Sequence, residues 1–218
     1  MSAETVTAGS VTKSTVDADN HGEDHGHASH ATSTGLSNTK LAMWVFLGSE
    51  CLLFGGLIST YLLYSTRGNG LTLPADVFDI PFTSVSSFVL LMSSLTMVLA
   101  LSAVNRGEAE AGRAWLLATA LLGAVFLGGQ VYEFTAFVRE GVGFTTSPAS
   151  SAFFTLTGFH GVHVAIGIVM LMSLFIRSVN GNLNQRNSET VEIVGLYWHF
   201  VDIVWIFIFT VIYLIPVN

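Results

Sequence analysis

Five long apolar runs separated by short polar breaks constrain this chain more than any other feature. They cover residues 41–65, 82–104, 114–138, 151–176 and 194–215, each about 22–26 residues long. A helix of that length crosses a hydrocarbon core of ~30 Å with some tilt. Barrel strands would be shorter and would alternate in polarity, so the runs predict helices. Helix punctuation fills the breaks: Arg67-Gly-Asn-Gly70, Pro74 and Pro81, Asn105-Arg-Gly107, Ser147-Pro148 and Asn180-Gly-Asn182. The expected fold is an all-α membrane protein, a bundle of five transmembrane helices. Only 11% of the 218 residues are charged, against about 25% in soluble domains.

Residues 1–40 have a different character. They hold no aromatic residue, and Lys13 and Lys40 against Glu4, Asp17, Asp19, Glu23 and Asp24 contribute −3 of the chain's net −7. Such a segment buries too little apolar surface to offset its ordering entropy, so a disordered polar tail is expected before a helical domain over 41–218. It has neither the apolar core of a cleaved signal peptide nor the arginine-rich, acid-poor character of a transit peptide. The acidic balance excludes a nucleic-acid binder resting on a basic surface. A single cysteine, Cys51, excludes a disulfide scaffold, a CxxCH haem attachment and a CxxC zinc or redox site.

Basic residues near the helix ends set the expected orientation. With the N-terminus in the cytoplasm, the inner segments hold Lys40, Arg106, Arg113, Arg177 and Arg186, and the outer loops hold only Arg67 and Arg139. The expectation is therefore a multi-pass protein of a prokaryotic-type cell (cytoplasmic) membrane, N-terminus inside and C-terminus outside.

Three acids fall within the runs: Glu50, Glu133 and Asp202. A charge at the centre of a spanning helix costs roughly 2.5–3.5 kcal/mol, and no Lys or Arg lies deep enough to pair with them. Each is expected to be protonated, hydrogen-bonded or wet. Gln130 and Glu133, His160 and His163, and His199 and Asp202 are all three apart, which puts each pair on one helix face. These six residues predict an interhelical polar network, with glycines nearby that let helices approach closely. Hydrogen bonding is preferred to metal ligation for His160 and His163, since no HExxH or Glu-x-x-His set accompanies them. Glu133 is expected to reach interfacial water, and His199 and Asp202 to bond each other. For Glu50 a structural and a functional role stand equally open. Trp44, Trp115, Trp198 and Trp205, with Tyr61, Tyr64 and Tyr213, read as interface anchors, Trp205 being deep enough to pack between helices. In the tail, His21, His25, His27 and His30 form a weak zinc or copper candidate, a solvated low-complexity stretch, or a local proton buffer.

Thr157-Gly-Phe-His-Gly-Val-His-Val-Ala-Ile-Gly167 resembles the TGFHGxHVxxG signature of subunit III of haem-copper oxidases. Tyr197-Trp-His-Phe-Val-Asp-Ile-Val-Trp205 is similar to that family's last helix, Gly129-Gln-Val-Tyr-Glu-Phe134 to its GQxxEY helix end, and Ser49-Glu50 to its SExxxF segment. The match covers about residues 41–216 in the family's order and fits its five-helix form, which lacks the first two helices of longer members. In those members a lipid-filled cleft lies between the first two helices and the rest; here it would be open or closed by another subunit.

The resemblance implies a subunit of a proton-pumping aa3-type cytochrome c oxidase that carries no redox centre or catalytic residue itself. Haem a and copper are then expected in partner subunits. Subunit I would be the main contact, with subunit II and phospholipids as further partners. It also implies that Glu50 is the family's intramembrane carboxylate, tied to proton uptake. The same resemblance leaves open a quinol oxidase, the accessory protein of nitric oxide reductase, and membership of a respiratory supercomplex. A stand-alone transporter would show broken helices and internal repeats, and neither is visible.

Overall fold

A computed structural model of the chain describes residues 37–66, 80–181, 183 and 188–214. Five helices make it up: α1 (Asn38–Thr66), α2 (Ile80–Asn105), α3 (Ala109–Arg139), α4 (Pro148–Val179) and α5 (Ser188–Phe209), the last continued by a π-helical turn over Thr210–Leu214. All five are long and apolar enough to cross a membrane. At about 1.5 Å per residue, the 26 to 32 residues of α1–α4 exceed the ~30 Å hydrocarbon core and reach the interface on both sides.

That excess corrects the expected limits. α3 opens at Ala109, five residues before its apolar run, and α5 at Ser188, six before, because helical hydrogen bonding continues past the last apolar residue into the polar zone. α1 opens at Asn38, inside the stretch read as tail. Ser37 accepts a hydrogen bond from the Lys40 backbone N–H, an N-cap that starts the helix there. The Ser37 hydroxyl also donates to Glu189, and Lys40 Nζ pairs with Glu192 at 2.8 Å, fastening the start of α1 to the start of α5. Residues 1–36, with the four tail histidines, lie outside the described residues, as does the 67–79 loop.

The ends of the other helices follow from local chemistry. Ser147 and Ser150 form a reciprocal capping box, and Pro148 sits where its missing N–H costs nothing. Gly141 (φ 87°) and Gly181 (φ 73°) end α3 and α4 in the left-handed conformation that glycine adopts without strain. Arg106 and Glu108 pair at 2.9 Å in the tight α2–α3 turn, and the guanidinium holds the exposed carboxyl below its ordinary range.

α2, α3, α4 and α1 pack side by side in that order, and α5 lies across α2, α4 and α1. α5 is the most enclosed helix and α1 the least. α2 presents a row of small hydroxyls to α5. Ser87 accepts from Trp205 Nε1 at 2.8 Å, Ser93 accepts from Trp198 Nε1 at 2.9 Å, and Ser94 bonds His199 Nδ1 at 2.6 Å. Trp198 is completely buried, and the expectation that it anchors at the interface is corrected. Its ring fits between Gly123 on α3 and Gly167 on α4, where an added Cβ would stand 2.5 and 2.7 Å from ring carbons. Trp205 and Tyr61 are likewise buried, and Tyr213 is half-buried against Glu133; Trp44, Trp115 and Tyr64 face outward.

Candidate functional site

The polar residues inside the spans form separate joints rather than one network. The joint between α1 and α4 carries the most chemistry. Glu50 Oε2 lies 3.2 Å from His163 Nε2, with both side chains nearly enclosed. Phe54, one turn after Glu50, sets its ring edge-on to His163 at 5.1 Å. Tyr197 of α5 donates its phenol to the His163 backbone carbonyl at 3.0 Å.

Proton positions at this joint follow from the other imidazole nitrogen. His163 Nδ1 is 2.7 Å from the Phe159 carbonyl. A carbonyl only accepts, so Nδ1 carries hydrogen. Nε2 then either lacks a proton and accepts from a protonated Glu50, or carries one and donates to a carboxylate. Both forms share one proton between the two side chains, and both are neutral overall. Neutrality is what a site deep among apolar helices requires. Sequence reading placed both residues without linking them, since they stand 113 positions apart.

His160 behaves differently from its neighbour. It is fully buried, stacked on Trp205 at 4.9 Å, with the edges of Phe126 and Phe54 at 6.0 and 6.5 Å. Neither ring nitrogen has a hydrogen-bond partner among the described residues. The expected interhelical hydrogen bond is replaced by an aromatic enclosure drawn from α1, α3 and α5.

Gln130 donates from Nε2 to the Thr157 carbonyl at 3.0 Å, bridging α3 and α4. Its Oε1 occupies the space over Gly161, 2.7 Å from where a Cβ would be, so a larger residue there would have to push the amide aside. Glu133 was expected to meet interfacial water. It is 8% exposed instead, and its Oε1 accepts from Thr83 of α2 at 2.8 Å and from Tyr213 of the π-helical turn at 2.9 Å. The hydroxyls that receive these groups were not singled out from the sequence. The available signal was Thr83, Ser87 and Ser94 recurring along an otherwise apolar run.

The proposed His199–Asp202 bond is absent. His199 turns to Ser94, and the same hydroxyl lies near the Asp202 carboxyl, but neither carboxyl oxygen meets a donor in good hydrogen-bonding geometry among the described residues. An i,i+3 spacing brings two residues to one face, but each side chain follows its own rotamer to a different neighbour. Asp202→Leu is therefore expected to cost little. Leucine branches at Cγ as aspartate does, and replacing a buried polar group that lacks a well-formed hydrogen bond by an apolar one is close to neutral. Thermal unfolding of the purified chain in mild detergent should show Asp202→Leu at least as stable as the parent. Ser94→Ala should lose about 1 kcal/mol, because it deprives His199 of its partner. A large loss in Asp202→Leu would mean that the carboxyl is bonded after all.

Among the described residues no group of three or more His, Cys, Asp or Glu comes together. Each joint instead fixes one helix against another, and residues of four sequence motifs supply them. The family model for cytochrome c oxidase subunit III matches residues 10–217 of the chain.

The chain belongs to the cytochrome c oxidase subunit III family.

It is 44% identical over 177 residues to cytochrome c oxidase subunit 3 of Bacillus sp. (strain PS3), covering 81% of this chain and 86% of that protein. It is 38% identical over 198 residues to quinol oxidase subunit 3 of Bacillus subtilis, covering 91% and 97%. With cytochrome bo(3) ubiquinol oxidase subunit 3 of Pseudomonas aeruginosa it shares 36% over 204 residues, covering 94% and 96%. This member of the subunit III family is thus a multi-pass membrane component of a haem-copper terminal oxidase, associated with other oxidase subunits. The motifs that carried the resemblance are its joints: Thr157, Gly161, His163 and Gly167 meet Gln130, Glu50 and Trp198, while Tyr197, Trp198, His199 and Trp205 meet α2 and α4.

Proposed function

We propose that this chain is the non-redox subunit III of a proton-pumping aa3-type cytochrome c oxidase in the cell membrane, its N-terminus cytoplasmic. In this reading haem a and copper reside in subunits I and II, and the chain supports proton uptake, protects the catalytic subunit and holds phospholipid. The observation that carries the proton-related role is the Glu50–His163 pair, two side chains that share one proton at mid-depth. The 44% identity to a protein named cytochrome c oxidase subunit 3 favours cytochrome c as donor. A quinol oxidase is the second reading, favoured by relatives of that name matched over 97% of their length.

Purification of the tagged chain in mild detergent tests this. The reduced-minus-oxidised spectrum and metal content of the co-purifying complex should show a-type haem with copper, and the complex should oxidise reduced cytochrome c. Oxidation of quinol alone would establish the second reading. B-type haem with non-haem iron and no copper would move the chain to a nitric oxide reductase. A colourless, metal-free chain after gentle extraction would overturn the oxidase reading.

A further inference from the structure

His199 stands twelfth in a 27-residue span, and Ser94 fifteenth in one of 26. Both lie near mid-depth. Nδ1 of His199 is taken by Ser94. Nε2 makes no hydrogen bond with any described residue, and it is not among the buried polar atoms lacking a partner, so it reaches the outer surface of the bundle. Around it the surface is apolar. Leu91 and Val98 flank Ser94 on α2, and Ile203 and Ile206 continue the His199 stripe on α5, all four exposed.

A half-exposed imidazole set in an apolar face at this depth does not suit an acyl chain, which offers nothing to a ring nitrogen. The outer stripe of α4 shows the contrast: Phe159, Val162, Ile166 and Val169 are exposed with no polar atom among their side chains. A side chain this deep has no path to the headgroups either, because imidazole is too short to reach them.

We propose that the α2–α5 face centred on Ser94 and His199 is the docking surface for a transmembrane helix of a neighbouring oxidase subunit, which supplies a hydrogen-bonding group to His199 Nε2. This rests on the reading of the chain as an oxidase subunit. Leu91, Val98, Ile203 and Ile206 form the apolar frame that excludes lipid from the bond, and the polar contact fixes the register of the incoming helix. Hydrogen bonds between helices serve this purpose in membranes, where apolar contact alone does not favour protein over lipid.

Photo-crosslinking in the intact oxidase complex tests the surface. p-Benzoylphenylalanine replacing Ile203 should crosslink to another oxidase subunit, identified by mass spectrometry, whereas the same group replacing Val169 should not. Crosslinks from position 203 only to lipid, or to a second copy of this chain, would overturn the assignment while leaving the chain an oxidase subunit. Co-purification with no oxidase subunit at all would instead remove the reading on which the assignment rests. Detergent washing supplies a second measurement. His199→Phe keeps the ring shape without Nε2 and should lose the chain from the complex roughly five- to tenfold more readily. Ser94→Ala leaves Nε2 in place and should change retention by no more than about twofold. Equal retention of parent and His199→Phe would show that Nε2 has no partner across the interface.

Discussion

Trp198→Ala is expected to destabilise the bundle by about 3–5 kcal/mol, the range for truncating a fully enclosed aromatic side chain. Trp198 touches more of the structure than any expectation from its sequence position allowed. Its Nε1 is held by Ser93 of α2, and its six-membered ring lies between Gly123 of α3 and Gly167 of α4. In a membrane the loss is one of packing and a hydrogen bond, because lipid is as apolar as the core. The converse substitutions test the fit from the other side. Gly123→Ala and Gly167→Ala would each drive a methyl against a ring that cannot retreat, at about 1–3 kcal/mol apiece. Trp198→Phe removes the part of the ring that those methyls meet. Gly167→Ala combined with Trp198→Phe should therefore be more stable than the sum of the two single losses predicts. Denaturation of the purified chain in mixed micelles by added dodecyl sulfate, followed by far-ultraviolet circular dichroism, measures all five. Strict additivity would show that the methyl and the ring do not meet.

The fold was legible because one constraint outweighs the rest. An apolar run in lipid has to satisfy its own backbone hydrogen bonds, so length and hydropathy alone identify each helix. Which helices touch is a different matter. Glu50 and His163 meet because α1 packs on α4, and no local pattern encodes that adjacency. Motif spacing showed that His160 and His163 share a face, yet one ring turns to a carboxyl and the other into aromatic side chains. Partners such as Ser87, Ser93 and Ser94 were hidden for a related reason. A serine within an apolar run reads as a small residue until a tryptophan or histidine on another helix reaches its hydroxyl. Trp198 was misplaced because anchoring and packing use the same residue type, and only neighbours distinguish the two uses.

His163→Leu should loosen α1 from the bundle, at a cost of about 1–3 kcal/mol. α1 is the least enclosed helix, and Glu50–His163 and Lys40–Glu192 are polar ties that hold it to α4 and α5. Leucine at 163 leaves the Glu50 carboxyl facing apolar groups with nothing to bond. Glu50→Gln should behave otherwise. The Phe159 carbonyl fixes the proton of a neutral His163 on Nδ1, so Nε2 accepts, and a glutamine amide donates to it as a protonated glutamate would. Stability and retention in the complex should then stay near those of the parent. Glu50→Leu with His163→Leu removes both polar groups and should recover most of what His163→Leu loses. Labelling of Cys51, on the exposed side of α1 next to Glu50, follows the helix directly. A change in its alkylation rate in His163→Leu, reversed in the double variant, would place the loss at the α1–α4 joint. If Glu50→Gln proved as damaging as His163→Leu, the pair would be a charged carboxylate and imidazolium, because only that form requires a negative charge that glutamine lacks.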